Sequence, residues 1–246
     1  MVRIFFMKSP SKISAVIITY NEEKYIQGCI VSLKDIADEI LVVDSFSLDR
    51  TKAICLELGA RFIERKWEGY AKTKNWANAQ AKYAWVLSMD ADEVLSKDLR
   101  SSILSEKMKG LNDRRIYKFN RLNNYCGKWI RHAGWYPDTK VRLFDKTHAI
   151  WQGDVHEELS FSQTVDEIHL KGDLLHYTIM DKEDHISRLK KYNGLAKKYP
   201  NLAYTFFSSM FTFIKMYILK LGFLDGQLGF QLCFLTAKGK FWRGKA

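Results

Sequence analysis

The chain is 246 residues long, 47% hydrophobic and 14% aromatic with only three prolines, which excludes a disordered or fibrous polymer and allows one large-cored domain with an appendage. Its net charge of +11 sits mostly in one place: from Lys182 to Ala246 twelve Lys/Arg stand against three Asp/Glu, or +9. Four cysteines lie far apart with no C-x-x-C pair, which argues against a zinc ribbon or a disulfide scaffold and suits a reducing compartment.

The opening MVRIFFMKSPSK carries an apolar patch too short for a signal-peptide core and no small-residue cleavage site, so a cytoplasmic protein is expected. KISAVIITYNEE is a β-branched run ending at Asn21 and reads as a buried strand. EKYIQGCIVSLKDI has helical periodicity through Tyr25, Ile26, Cys29, Ile30 and Leu33. DEILVVDSFS is a second buried strand, followed by a helix from about Leu48 to Gly59. ARFIERKW, GYAKTKNWANAQAKYA and WVLSMD continue as strand, helix and strand. This alternation, with continuous apolar strands, predicts an α/β fold: a mostly parallel sheet covered on both faces, with right-handed crossovers. A helix from Ser96 to about Lys109 follows, and the rhythm then changes. RRIYKFNRLNNYCGKW, TKVRLFDK and GDLLHYTI read as strands separated by aromatic, glycine-containing loops. From Lys182 onward the pattern is helical, with Pro200 between two segments. The expected layout is one α/β domain over residues 1–180 and a basic, amphipathic helical extension over residues 181–246.

Open parallel α/β sheets bind ligands at the carboxyl ends of their strands. Here those ends carry Asn21 and Glu22, then Asp44 and Ser45, then Asp90 and Asp92. One Asp after a strand is commonly a helix cap, and Asp49 is read that way. Three polar or acidic ends converging on one edge read as a site. WVLSMDADEVLS is its sharpest part: Asp90, Asp92 and Glu93 place three carboxylates within four residues, and like charges that close require a positive partner. D-x-D at a strand end supplies hard oxygen ligands for Mg²⁺ or Mn²⁺, cations that keep waters and bridge to diphosphate oxygens. Neither G-x-G-x-x-G after a strand nor G-x-x-x-x-G-K-[ST] occurs, so neither a dinucleotide fold nor a P-loop is supported.

VIITYNEE, ILVVDSFSLDRT, GYAKTKNWA and WVLSMDADE resemble, in order and context, the successive motifs of family 2 glycosyltransferases with the GT-A fold. GWYPDTKVRLFDK followed by WQGDVHEEL is similar to the bacterial lipopolysaccharide-core type, the β-1,4-glucosyltransferases of the inner core. The resemblance covers residues 12 to 180. It implies a metal-dependent, inverting transfer of a sugar, glucose being the expected one, from a UDP-sugar to a lipopolysaccharide-core or other lipid-linked saccharide. By the same resemblance Thr19, Tyr20 and Glu22 hold the base and ribose, and Asp44 accepts from the uracil N–H. Lys74 stands where the family often has an Arg touching the nucleotide or its phosphates; Lys keeps the charge and loses the fork. Asp90 would face the ribose and Asp92 would bind Mg²⁺ or Mn²⁺. His176, in LLHY, matches a histidine that completes the metal site, although a His after two leucines otherwise reads as a core residue. DVHEE corresponds to the acidic catalytic motif, with Glu157 as general base, or Glu158 if the register slips by one. Trp135, Tyr136, Asp138 and Arg142 would meet the acceptor, with aromatics on sugar faces and Arg on acidic or phosphorylated sugars. The other reading of Trp135 and Tyr136 is that they pack a lid.

LAYTFFSSMFTFIKMYIL contains Lys215 and a spread of hydroxyls, and no uninterrupted apolar run in it nears the roughly 20 residues needed to span a bilayer. Phe206, Met210, Phe213, Tyr217 and Leu221 fall at helical spacing, flanked by Lys197, Lys198, Lys215 and Lys220. That suits a helix in a membrane interface, a homo-oligomer contact, or packing on the domain's own core. Lys238, Lys240, Arg243 and Lys245 after GFQLCFLT favour the membrane, and a peripheral place on the cytoplasmic face of a bacterial inner membrane is expected. Nucleic acid is not expected as a partner, because no binding motif accompanies the charge. Two other classes compete. A nucleotidyltransferase would show a glycine-rich, basic phosphate loop after its first strand, and TYNEEKY is not one. A nucleotide-binding or membrane-associated module without transfer activity would have no need of Asp44, Asp90, Asp92 and Glu157 together.

Overall fold

The computed structural model describes residues 9–153, 157–195 and 201–242. The leader reading at residues 1–8, the first three residues of DVHEE, and Lys197, Lys198, Pro200, Arg243 and Lys245 lie outside them. The chain opens with four strands, β1 (Ile13–Thr19), β2 (Glu39–Asp44), β3 (Arg61–Glu64) and β4 (Trp85–Asp90), alternating with α1 (Ile26–Leu33), α2 (Thr51–Glu57) and α3 (Tyr70–Gln80). The strands pair in parallel in the order β3-β2-β1-β4. All seven residues of β1 are buried, as a strand covered on both faces requires. Its alternate side chains enter two cores. Ile13, Ala15 and Ile17 join Ile26, Ile30 and Leu33 of α1, whereas Val16 and Ile18 join Ala71 and Ala77 of α3. Each buried Val, Ile or Leu among these contributes about 1.5–3 kcal/mol.

After β4 come β5 (Glu93–Leu95), α4 (Lys97–Lys109), β6 (Arg115–Tyr125), β7 (Lys128–Trp129), β8 (Asp138–Asp145), β9 (Ala149–Gln152), β10 (Glu158–Phe161) and β11 (Asp166–Ile179). Strand β8 pairs antiparallel with β4, and the nine-stranded sheet runs on through β6 and β11 to β5, with β7 hydrogen-bonded to β6. Strands β9 and β10 form a separate antiparallel hairpin. The α/β fold expected from the sequence is present: a parallel first half, then a mixed continuation. The start of β11 is polar and precedes the expected strand at Gly172 by six residues. At Gly172 the backbone has φ +102°, and an added Cβ would lie 2.2 Å from the Leu99 nitrogen, so only glycine lets β11 pass this close to α4. Ser96 ties the two together, its hydroxyl accepting from the N–H groups of Leu99 and Asp173.

Two compact units divide the chain, Met1–Asn120 with Thr139–Leu174, and Arg121–Asp138 with Leu175–Ala246. The second holds α5 (Lys182–Leu195), α6 (Leu202–Ile214) and α7 (Gly226–Trp242), with a π-helical turn (Lys215–Leu219) and a 3₁₀ turn (Gly222–Asp225) between the last two. Its core gathers Tyr125, Ile130, Ile179, Leu232 and Cys233, with Trp135, Phe213 and Tyr217 against them. The Asp225 carboxylate accepts from the backbone N–H groups of Arg131 and His132, which pins the loop after β7. Helix α6 is built inside out. Thr205, Ser209 and Thr212 are buried, while Phe207 and Phe211 are 61% and 60% exposed, with Phe206, Met210 and Ile214 exposed beside them. With the π-helical turn it makes one 18-residue helix, Leu202–Leu219, long and apolar enough by length and composition to cross a membrane. The sequence had suggested no apolar run of that length; the helix reaches it by tolerating hydroxyls on its inner side.

Candidate active site

The parallel register brings the strand ends together. Thr19 pairs with Asp44 of β2, and Ile18 with Asp90 of β4, so two carboxylates flank the end of β1. The loops after β1 and β2 turn through left-handed residues, Asn21 (φ 54°) and Phe46 (φ 62°). Asn tolerates that conformation, whereas Phe holds it only under about 1–3 kcal/mol of strain. The loops brace one another: Asn21 Oδ1 accepts from Leu48 N–H at 2.8 Å, and Ser47 Oγ accepts from Asn21 N–H at 2.7 Å. Asp44 is buried, and both its oxygens accept from Ser47, one from the N–H and one from the hydroxyl. Thr19 Oγ1 is buried with no hydrogen-bond partner among the described residues. Tyr20 is exposed at the rim. Glu22 donates its N–H to Thr51 Oγ1. Asp49, expected as a helix cap, accepts from the N–H groups of Thr51 and Glu23 just ahead of α2, whose N-cap is Arg50.

Two of the three crowded carboxylates, Asp90 and Glu93, meet cations of the chain itself. Glu93 is fully buried, and its Oε1 lies 2.7 Å from Arg142 Nη2, while its Oε2 accepts from Asp90 N–H at 3.0 Å. The same Arg142 nitrogen donates to Asp90 Oδ2 at 2.8 Å. Burial alone would weaken the hold of Arg142 on its proton, but Asp90 and Glu93 raise its pKa above the usual value. Lys74, 2% exposed on α3, places Nζ 2.9 Å from Glu157 Oε1 and 3.4 Å from Asp90 Oδ1, over the face of Trp151 at 4.8 Å. Charges thus alternate along Glu93, Arg142, Asp90, Lys74 and Glu157. Glu93 and Arg142 form the buried end of this line, where removing one partner leaves the other uncompensated and costs several kcal/mol, roughly 3–5. Asp92 is half-exposed one residue beyond the buried Ala91.

Two expected roles meet different surroundings. Arg142, expected on the acceptor, is buried between Asp90 and Glu93. Lys74, expected on the nucleotide, lies between Glu157 and Asp90. Two residues given no role take part in the framework: Glu93, which holds Arg142, and Asn75, whose side-chain amide bonds the Trp151 backbone. Glu93 was visible in the sequence as the third charge of DADE; Asn75, mid-helix beside Lys74, carried no signal.

The other candidates lie in the second unit. Trp135 is half-buried with its ring edge-on to Tyr125 at 5.8 Å, and the Arg131 guanidinium stands 5.5 Å from the Tyr136 ring. Asp138 receives Arg121 Nε at 2.9 Å and Nη2 at 2.7 Å. His176 Nδ1 is 2.7 Å from Asn123 Oδ1, and Asn123 donates on to the Trp135 carbonyl at 3.3 Å. The structure therefore brings Trp135 and His176 to one amide. Among the described residues no group of three or more His, Cys, Asp or Glu is placed to hold a metal ion.

Comparison with known proteins adds to this geometry. Residues 14–155 match Glycosyl transferase family 2. The lipopolysaccharide core biosynthesis glycosyltransferase LpsC of Rhizobium meliloti (strain 1021) is 30% identical over 246 residues, covering 92% of this chain and 90% of that protein. An uncharacterized glycosyltransferase of Rickettsia typhi is 31% identical over 249 residues, covering 94% of this chain and 85% of its own length. Among solved structures, S. aureus TarS aligns at 16% identity and a TM-score of 0.49, covering 94% of this chain and 48% of that one. Glucosyl-3-phosphoglycerate synthase from Mycobacterium tuberculosis, solved with Mn²⁺ and UDP-glucose, aligns at 20% identity and a TM-score of 0.38, covering 46% of this chain and 44% of that one.

Proposed function

This chain belongs to glycosyl transferase family 2, and from that premise we propose that it moves a sugar, glucose foremost, from a UDP-sugar to a lipopolysaccharide-core or other lipid-linked saccharide, with inversion at the anomeric carbon. The observation that carries the proposal is the alternating charge line from Glu93 to Glu157 at the ends of β1 and β4. The likeness to LpsC, whose name places it in lipopolysaccharide core biosynthesis, supports the acceptor class.

In this reading Thr19, Tyr20 and Glu22 border the base and ribose; the buried, unsatisfied Thr19 hydroxyl supports a polar ligand there, since such a group is otherwise costly. Asp44 receives the uracil N–H and Asp90 turns toward the ribose. A divalent cation fits the donor set. Asp90 ends β4 and Asp92 follows it, and hard carboxylate oxygens of this kind suit Mg²⁺ or Mn²⁺. Asp92 would hold it, and its chemistry there would be to stabilise charge on the leaving diphosphate. Glu157 takes the proton of the acceptor hydroxyl as that oxygen attacks the anomeric carbon and the diphosphate departs. Trp135, Tyr136 and Asp138 would receive the acceptor. The burial of Arg142 supports a part in holding Asp90 in place of an acceptor contact.

The outward Phe206, Phe207 and Phe211, with Lys215 and Lys220 beyond them, support a peripheral seat on the anionic cytoplasmic face of a membrane, where a lipid-linked acceptor would be found. The test of the reaction is UDP release from a panel of UDP-sugars with Mn²⁺ or Mg²⁺. One donor should be slowly hydrolysed, and Asp92→Ala should abolish this. Glu157→Gln should still bind UDP yet lose about 10²–10⁴ in transfer to an added acceptor. Absence of both release and calorimetric binding for every UDP-sugar, with folded protein and metal present, would overturn the proposal.

A further inference from the structure

We propose that Lys74 and Asn75, neighbours on α3, are positioning residues that clamp the β9–β10 hairpin and thereby hold Glu157 in place for its part in the transfer; the inference rests on the family 2 reading of Glu157 above. A two-stranded hairpin with four residues a strand is marginal by itself. This one is held from outside. The Asn75 amide donates Nδ2–H to the Trp151 carbonyl at 2.8 Å and accepts the Trp151 N–H at Oδ1, also at 2.8 Å. Trp151 lies opposite Leu159 of β10, and its own N–H and C=O face α3, so one side-chain amide substitutes for the strand this edge lacks.

Lys74 makes the second hold. Its ammonium covers the Trp151 ring and reaches Glu157, which sits immediately before β10, and it also stands beside Asp90 at the end of β4. Helix α3 thus references the hairpin to the central sheet at two adjoining residues. Misplacing a catalytic group by about 1 Å can cost on the order of 10²-fold in rate, so such a device belongs where a base must meet a donor held by other strands.

The experiment pairs hydrogen exchange at the Trp151 amide with steady-state kinetics on the full-length protein. Asn75→Ala should speed Trp151 exchange about tenfold or more and lower kcat about tenfold, with donor KM within about threefold of wild type. Asn75→Asp, which keeps the acceptor for Trp151 N–H and sets a carboxylate against its carbonyl, should do the same in smaller measure; it decides the matter on the same two readouts if Asn75→Ala does not fold. Lys74→Gln should lower kcat with little change in donor KM, and Lys74→Arg should restore much of it, because a guanidinium still reaches both carboxylates. Unchanged Trp151 exchange or unchanged kcat in the Asn75 variants would overturn the clamp. So would a Lys74→Gln protein with raised donor KM and full kcat, the mark of a direct phosphate contact. Exchange judges the clamp whether or not sugar is transferred, so a wild-type protein inactive with every nucleotide sugar overturns the transfer reading and not the clamp.

Discussion

His185 lies 4% exposed in the helical unit, its Nδ1 3.0 Å from the Tyr125 hydroxyl and its ring edge-on to the Tyr125 ring. Burial lowers its pKa from the usual 6.5 to about 4, against a smaller upward pull from Asp184. Between these values the unfolded chain binds a proton that the folded chain refuses, so stability rises with pH across that window. The melting temperature should fall as the pH is lowered from about 6.5 toward 4, with up to about 3 kcal/mol at stake, and His185→Gln should flatten that slope; equal slopes would refute it. Residue chemistry of this kind was partly legible in the sequence. Asp44 and Asp90 stood out because they end apolar runs. That Lys74 meets Glu157 was not legible, since 83 positions separate them and only the folding of the hairpin onto α3 joins them.

Elements divide in the same way. Strands β1, β2 and β4 announce themselves because most of each is buried and each carries an unbroken apolar run, AVII, ILVV and WVL. Strands β5, β9 and β10 span three or four residues, too short for a period of two to register. Helix α6 shows a subtler limit. Helical spacing marked Phe206, Met210, Phe213, Tyr217 and Leu221 as a stripe, yet Phe213 and Tyr217 turn toward Phe230 of α7, while Phe207 and Phe211 face outward. In a helix apolar on most sides, periodicity cannot choose which side is in; here the buried seam is Thr205, Ser209 and Thr212. Replacing Phe207 and Phe211 together by Ser should cut binding to anionic vesicles at least about tenfold and leave the melting temperature near wild type, because neither side chain supports the core. Undiminished vesicle flotation would refute the lipid-facing assignment.

At the scale of the whole molecule, the family match ends at residue 155, whereas the likeness to LpsC runs over 92% of the chain, so the helical unit belongs to the shared plan. Its charge was plain from composition; its partnership with residues 121–138 was not, because that hairpin packs with segments some fifty or more positions away. The inside-out α6 has a kinetic corollary. Seated at a lipid surface through Phe207 and Phe211, as proposed, the transferase would meet its acceptor at a density per unit area, and its search would run in two dimensions. Diluting a lipid-linked acceptor with inert anionic lipid, at constant bulk concentration, should slow transfer in proportion to the acceptor's surface mole fraction, while a water-soluble acceptor fragment should show no such dependence. On that proposal its Michaelis constant would be expressed as a mole fraction of the membrane, and the enzyme's effective affinity would be a property of the bilayer's composition as much as of the protein.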